Sequence, residues 1–246
     1  MAKQTAKDGI VLIDGYNLST YVTQYEWSSA VDEVEVTGLT DGAHNFVPGQ
    51  KQGEINLNTL WDSAASKSVA VLRPLSLSGK IVTLMPEGYV LGAPTLSMPI
   101  MQANWGPSGD PSSAIRADSV KFLSYGGTSE GVEDGYALAH ATITATTTGT
   151  GYDDPSGAAA TARCAGALHI WDATGTDTYV VKIQHSTTLG SGYADLITFT
   201  LNGTALGSER VVVASGTVNR YRRVVATRTG AAADTFGFSV HFWRSW

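Results

Sequence analysis

The sequence predicts a mainly β protein: an N-terminal β-sandwich or barrel with one short helix, followed by a small C-terminal β-sandwich. Charged residues make up only 15% of the chain, against about 25% in typical globular proteins, and glycine occurs 27 times. Many short segments alternate apolar and polar residues with the two-residue period of a strand, and turn-forming residues separate them. We therefore predict an N-terminal domain at 1–148, a linker at 149–162 and a C-terminal domain at 163–246.

Short strands open the chain, and two longer ones within residues 28–61 dominate the N-terminal domain. An apolar run at Ile10–Ile13 ends at an Asp-Gly turn signal. Further along, valines alternate with Glu33 and Glu35, and one face of the next strand carries Ile55, Leu57, Thr59 and Trp61, which alternate with Asn56, Asn58 and Leu60. Each of the two longer strands therefore has one face to bury.

The connection between these strands, residues 38–53, is a candidate assembly loop. It is longer than the roughly 2 to 5 residues of a usual hairpin, and loops of this length are often functional. Phe46 and Val47 are apolar residues without local cover, so we expect another subunit to cover them. The residues assigned to the loop are Gly38, Asp41, Gly42, His44, Phe46, Val47, Pro48 and Gly49.

The rest of the N-terminal domain contains one predicted helix and four predicted strands. Residues 62–77 have helical spacing, with Asp62 or Ser63 as N-cap and Pro74 at the end. Pro99 marks the second of the following strands as an edge strand. The predicted strands are 80–85, 95–105, 117–125 and 136–147.

Six strands at short, regular spacing predict the C-terminal sandwich. In the last of them Phe236, Phe238, Val240 and Phe242 alternate with other residues, so this face should be core. We expect the N-terminal domain or a neighbouring subunit to cover the opposite face, which includes Trp243. The predicted strands are 165–171, 178–185, 194–201, 209–214, 221–227 and 235–243.

The net charge of −6 is unevenly distributed. Residues 1–150 contain 8 Lys and Arg against 15 Asp and Glu, a net charge of −7, whereas residues 151–246 contain 8 against 7, a net charge of +1. Specific binding of nucleic acid is disfavoured, because an acidic surface repels phosphate. No apolar run approaches the roughly 18 residues of a membrane span, and no signal-peptide pattern begins the chain.

The sequence predicts no catalytic, metal or cofactor site, and we expect the protein not to be an enzyme. Residues 127–131 match the G-x-S-x-G pattern around Ser129, but turn residues follow where that pattern needs a helix. The five histidines lack metal-binding spacing, and the single Cys164 excludes an intrachain disulfide. The arginines within 220–228 are split over both faces of a strand, which favours salt bridges over binding to nucleic acid.

The order of motifs in the N-terminal part resembles that of the major tail (tail tube) proteins of long-tailed bacteriophages. The residues that carry this resemblance are Val36, Thr37, Asp41, Gly42, Ala43, Phe46, Pro48, Gly49, Ile55, Leu57, Trp61 and Asp62. The C-terminal part is also similar to segments of phage tail proteins, at Ile183 to Ser186, Thr198, Phe199, Ser208 to Arg210 and Val218 to Arg222.

This resemblance implies a structural virion protein that is made in the host cytoplasm and resides in the tail. Such a protein self-assembles into stacked hexameric rings around a tape measure protein, and tail terminator or tip proteins close the tube. DNA passes through without specific binding, and Glu33 and Glu35 are candidate lumen-facing acids.

Two alternatives come from other classes of protein. A capsid decoration protein or a carbohydrate-binding β-sandwich module of a virion would predict a monomer or trimer. An enzyme would predict that Ser129 or Glu33 lies in a cleft.

Overall fold

A computed structural model describes residues 6–37, 42–73, 79–109, 114–126, 131–154, 157, 160–232 and 234–245. It confirms a mainly β, antiparallel fold with one short helix, α1 (Ser68–Leu72). The strands, in chain order, are β1 (Ile10–Ile13), β2 (Tyr16–Asn17), β3 (Val22–Glu35), β4 (Phe46–Leu60), β5 (Lys80–Met85), β6 (Pro94–Ser108), β7 (Arg116–Ser124), β8 (Glu133–Ile143), β9 (Thr147–Thr148), β10 (Tyr152–Asp153), β11 (Ala160–Ala173), β12 (Thr178–Ser186), β13 (Ala194–Thr198), β14 (Gly207–Val218), β15 (Tyr221–Thr229) and β16 (Phe236–Arg244).

One large sheet runs through both halves of the molecule. Its main path is β14-β11-β16-β8-β6-β5-β1-β2, and β6 also pairs with β7, β7 with β4 and β4 with β3. The first part of β6 lies between β5 and β8, whereas its later part pairs with β7. The strand β6 therefore joins the N-terminal strands to the C-terminal layer by continuous hydrogen bonding.

A second sheet, β10-β15-β12-β13 with β9 on β15, packs on the C-terminal part of the large sheet. The apolar residues of β16 enter the core between the two sheets, as the alternation predicts. Phe236 stacks on Tyr179 with 4.3 Å between the ring centroids. At Gly166 a Cβ would lie 2.7 Å from Ile183, so the sheets approach closely there. All six predicted C-terminal strands are present.

The N-terminal core lies under β4, β5, β6 and β7. Ile55 and Leu57 of β4 are buried while Asn56 and Asn58 alternate with them on the other face, as expected. The helix α1 is shorter than the predicted 62–77, of which 74–78 lie outside the described residues.

The predicted helix cap is wrong, because α1 begins six residues after Asp62. The Asp62 side chain accepts a hydrogen bond from the amide of Ala64 at 2.9 Å and so forms a turn. The hydroxyl of Ser68 donates to the carbonyl of Leu60 at 2.6 Å, which fixes α1 against the end of β4.

The strand β8 lies before the predicted linker but pairs along most of its length with β16. Hydrogen bonding therefore places it in the C-terminal layer. The division of the chain at 149–162 stays a prediction.

The two halves meet across a buried polar interface. The amide of Gly15 donates to Nδ1 of His169 at 3.4 Å, and Nε2 of His169 lies 2.8 Å from the hydroxyl of Thr83. A second histidine, His241 of β16, bonds the hydroxyl of Thr95. At His241 the second face of β16 is therefore covered by the N-terminal half of the same chain, one of the two covers expected for it, and Trp243 on that face is buried.

Candidate assembly arm

The outer parts of β3 and β4 form a two-stranded arm, residues 26–37 and 42–52, in which every described residue is exposed. The strand β7 pairs with β4 only from Glu54 onward. Beyond that point each strand of the arm pairs only with the other among the described residues. At roughly 3.4 Å per residue, the arm extends about 30 Å from the body.

The arm exposes six large apolar side chains to solvent. An isolated two-stranded hairpin is only marginally stable in water, and clusters of exposed apolar side chains mark interaction surfaces. The exposed apolar side chains of the arm, with their relative exposures, are Trp27 (42%), Val31 (44%), Val34 (49%), Val36 (51%), Phe46 (55%) and Val47 (44%).

The two faces of the outer arm differ chemically. Val34 lies directly opposite Val47, and directly paired residues point to the same side. Glu35 lies opposite Phe46 on the other face. Alternation places Glu33 on that same face, so the two candidate lumen-facing acids flank an exposed aromatic ring.

Local hydrogen bonds join the two strands of the arm beside Phe46, at Glu35, Thr37 and His44. The Glu35 carboxylate lies 2.5 Å from Nδ1 of His44 and accepts a hydrogen bond from the Thr37 hydroxyl at 2.7 Å. These two bonds lower the pKa of Glu35 below its ordinary value. The ring of His44 in turn stacks on that of Phe46, with 6.3 Å between centroids.

Pro48 and Gly49 occupy an irregularity of the arm. The register shifts between Val31 and Glu33, where Gly49 packs against Asp32. Proline removes a ladder hydrogen bond and is tolerated at such bulges, which also increase strand twist. The arm therefore twists between its base and its tip.

The base of the arm is fixed at Gly53. Its amide donates to the hydroxyl of Ser124 at 3.1 Å. A Cβ there would lie 2.6 Å from the sulfur of Met98 and 2.7 Å from the amide nitrogen of Val132. Only glycine lets β4 pass this point without displacing the body.

Of the described residues in the predicted assembly loop, most are thus strand. The connection was predicted to span 38–53, but β4 begins at Phe46, because residues 46–52 continue to pair with β3 after leaving the core. Gly42, His44, Phe46, Val47, Pro48 and Gly49 are exposed, whereas Gly38 and Asp41 lie outside the described residues. The assembly role of these residues stays a prediction.

The structure also locates the residues considered for chemistry. Ser129 lies outside the described residues. Cys164 is buried, and burial raises the pKa of its thiol to about 12. Over the described ranges, His, Cys, Asp and Glu form no group of three that could hold a metal, and no helix has the length and hydropathy to cross a membrane.

The basic segment contains a buried ion pair that sequence reasoning missed. Arg222 is completely buried, donates to the Asp154 carboxylate at 2.7 Å and lies 4.7 Å from the Phe242 ring centroid. Burial and the nearby Arg244 lower the pKa of Arg222 to about 9. By contrast, Arg220 makes an exposed pair with Asp153. No local pattern distinguishes the two arginines, because the difference comes from distant strands.

A second feature that sequence reasoning missed is a cavity of about 200 Å³ in the C-terminal sandwich, here called the sandwich pocket. It lies where β8, β15 and β16 meet, and alanines on β8 leave the space open. Its lining is mainly apolar, and includes Leu91, Leu138, Ala141, Val224, Ala226 and Phe238, with Tyr89 and His140.

Comparisons with known proteins leave the family open. No family model and no curated protein matches the chain. Among solved structures, the chain is similar to SPP1 Dit (gp 19.1), described as a paradigm of the hub adsorption apparatus in phages that infect Gram-positive hosts. The match has 10% identity, covers 97% of this chain and 99% of that one, and has a TM-score of 0.36.

Matches to infectious bursal disease virus are weaker. For the structure of its Gt strain and for its VP2 subviral particle, the identities are 14% and 12%, and both TM-scores are 0.21. Each covers 96% of this chain, but only 55% and 54% of those chains. At these TM-scores none of the three matches carries an argument about function, which must come from the geometry of the chain.

Proposed function

We propose that this chain is a structural virion protein of a long-tailed bacteriophage, the major tail tube subunit, and that it self-assembles into stacked hexameric rings that form the channel for genome passage. The role is structural and involves no catalysis. The proposal joins the resemblance of the N-terminal motifs to one structural observation, the exposed arm.

The arm supports self-assembly because it exposes two kinds of group that another chain can bind. Its strand edges present amide and carbonyl groups, which a strand of another chain can pair. Its apolar side chains, with Phe46 at 55% exposure, need cover that its own body does not provide. A neighbouring copy would satisfy both.

The charge distribution supports passage of DNA without binding. The half of the sequence that carries the arm has a net charge of −7. A wall of this charge repels phosphate and so lets the duplex slide. Tape measure and tail terminator or tip proteins are the further partners that this role implies.

A comparison of the intact chain with a short-arm variant tests the proposal. Val31 and Lys51 are directly paired, so residues 32–50 can be replaced by Asn-Gly, which closes a two-residue hairpin. Negative-stain electron microscopy with mass measurement at rising concentration should show tubes or six-fold rings for the intact chain only. Leu189→Ser, which changes an exposed apolar residue outside the arm, is the matched control and should still assemble.

A persistent monomer or trimer of the intact chain would contradict the proposal. A trimer would instead support a capsid decoration or carbohydrate-binding module. Assembly of the short-arm variant would show that other surfaces build the tube.

A further inference from the structure

Phe46 is exceptional among the phenylalanines of this chain. All six lie in described residues, and five of them are at most 3% exposed. Phe46 is 55% exposed and lies on the outer arm. A phenyl ring held out in water at the end of an ordered hairpin needs a partner surface.

The sandwich pocket has the size and lining for such a ring. Its volume is about 200 Å³, and apolar side chains such as Leu138, Val224 and Phe238 line it. Apolar cavities of about 150 Å³ bind benzene, so a phenyl group fits this space. The indole of Trp27, the other large aromatic group of the arm, is bulkier and lies nearer its base.

The pocket lining does not oppose an acidic arm by charge. The described residues of the arm contain four acids, Glu26, Asp32, Glu33 and Glu35, against Lys51, a net charge of −3. The residues that line the sandwich pocket, most of which belong to residues 89–150, include no Asp, Glu, Lys or Arg. An acidic arm can therefore approach the pocket without meeting a carboxylate in its lining.

We propose that the arm of one copy inserts the Phe46 ring into the sandwich pocket of a neighbouring copy. This inference rests on the proposed self-assembly and specifies one of its contacts. Because Glu33 and Glu35 share a face with Phe46, they would surround this contact rather than face a lumen.

A double-mutant cycle on the full chain tests the pairing. Phe46→Ala removes the ring, and Ala141→Leu fills the pocket from β8. Sedimentation velocity over a concentration series measures self-association of the intact chain, both single variants and the double variant. Each single change should weaken association about tenfold or more, since each removes the burial of one phenyl ring.

The double variant decides between one shared contact and two separate ones. If Phe46 occupies the pocket, the double variant should associate no more weakly than the worse single variant. Val47→Ala, which shortens a side chain on the opposite face of the arm, is the control and should not couple to Ala141→Leu.

Should Ala141→Leu fail to fold, Thr150→Phe is the second variant that obstructs the pocket. Thr150 lines the pocket from a loop, and its side chain is exposed. If the two changes weaken self-association independently, so that their effects multiply, or if neither changes it, the insertion of Phe46 is wrong. Neither result would contradict the proposed tail tube function. A wild-type chain that stays monomeric at every concentration would overturn both.

Discussion

Acidification from pH 7.5 to pH 5.0 should weaken the fold at the polar interface between the two halves. His169 and His241 are fully buried there, and burial lowers the pKa of each to about 3. In the unfolded chain a histidine has a pKa of about 6.5. The unfolded state therefore binds more protons throughout this interval, and stability must fall as the pH falls.

The magnitude follows from the proton uptake of the unfolded state. At pH 5.0 the medium is 1.5 units below the unfolded value, and one unit corresponds to about 1.36 kcal/mol. Each histidine should cost about 2 kcal/mol, and the two together about 4 kcal/mol. Carboxylates whose pKa is lowered, such as Glu54 and Asp195, contribute mainly below this interval.

The hydrogen bonds of His169 give the structural reason. The Gly15 amide donates to Nδ1, so the proton of the neutral ring must be on Nε2, where it is donated to Thr83. The hydroxyl oxygen of Thr83 lies 3.0 Å from that of Ser97, so the chain of hydrogen bonds continues to Ser97. Protonation of Nδ1 would place a donor against the Gly15 amide and break the contact.

Urea unfolding at a series of pH values, followed by tryptophan fluorescence, measures this effect below the concentration of assembly. His169→Gln should remove the contribution of His169, about 2 kcal/mol, from the pH dependence. Thr83→Val should lower stability at all pH values but keep the dependence, because the histidine still titrates. A loss below about 1 kcal/mol between pH 7.5 and 5.0, or an unchanged slope for His169→Gln, would refute the reasoning.

Three further predictions concern the base of the arm and the C-terminal core. Gly53→Ala should destabilise the chain by about 1–3 kcal/mol in urea unfolding, because its Cβ would overlap the body, whereas Gly42→Ala, which meets nothing within 4 Å, should be nearly neutral. Asp154→Asn should cost about 3–5 kcal/mol by the same assay, because it leaves the Arg222 guanidinium buried without its carboxylate; a cost below about 1 kcal/mol would mean that another group compensates it. Cys164 should react with a thiol reagent only at the rate of unfolding, and rapid labelling of the native protein would contradict its burial and raised pKa.

The sequence predicted the positions of the strands better than it predicted which strands pair with each other. Alternation located all six C-terminal strands and the buried face of β4, because a strand with one core face repeats every two residues. The same pattern did not show that residues 46–52 remain strand after leaving the core, since pairing with β3 rather than burial maintains them there.

Features that depend on distant residues could not be predicted. The burial of Arg222 requires Asp154, which directly follows β10, and Phe242 of β16. The sandwich pocket likewise requires β8 to meet β15 and β16, which lie far from it in the sequence. The alanines of β8 were visible as small residues, but their spacing says nothing about what lies opposite them.

The shared strand β6 has a mechanical consequence. It is 15 residues long, about 50 Å at strand rise, and borders β7 at one end and β8 at the other. A pull on the arm passes along β4 to β7 and β6, and so loads many ladder hydrogen bonds together in shear. The C-terminal sandwich is therefore connected to the arm through paired strands rather than through a flexible linker. A displacement of the arm should move the sandwich as well.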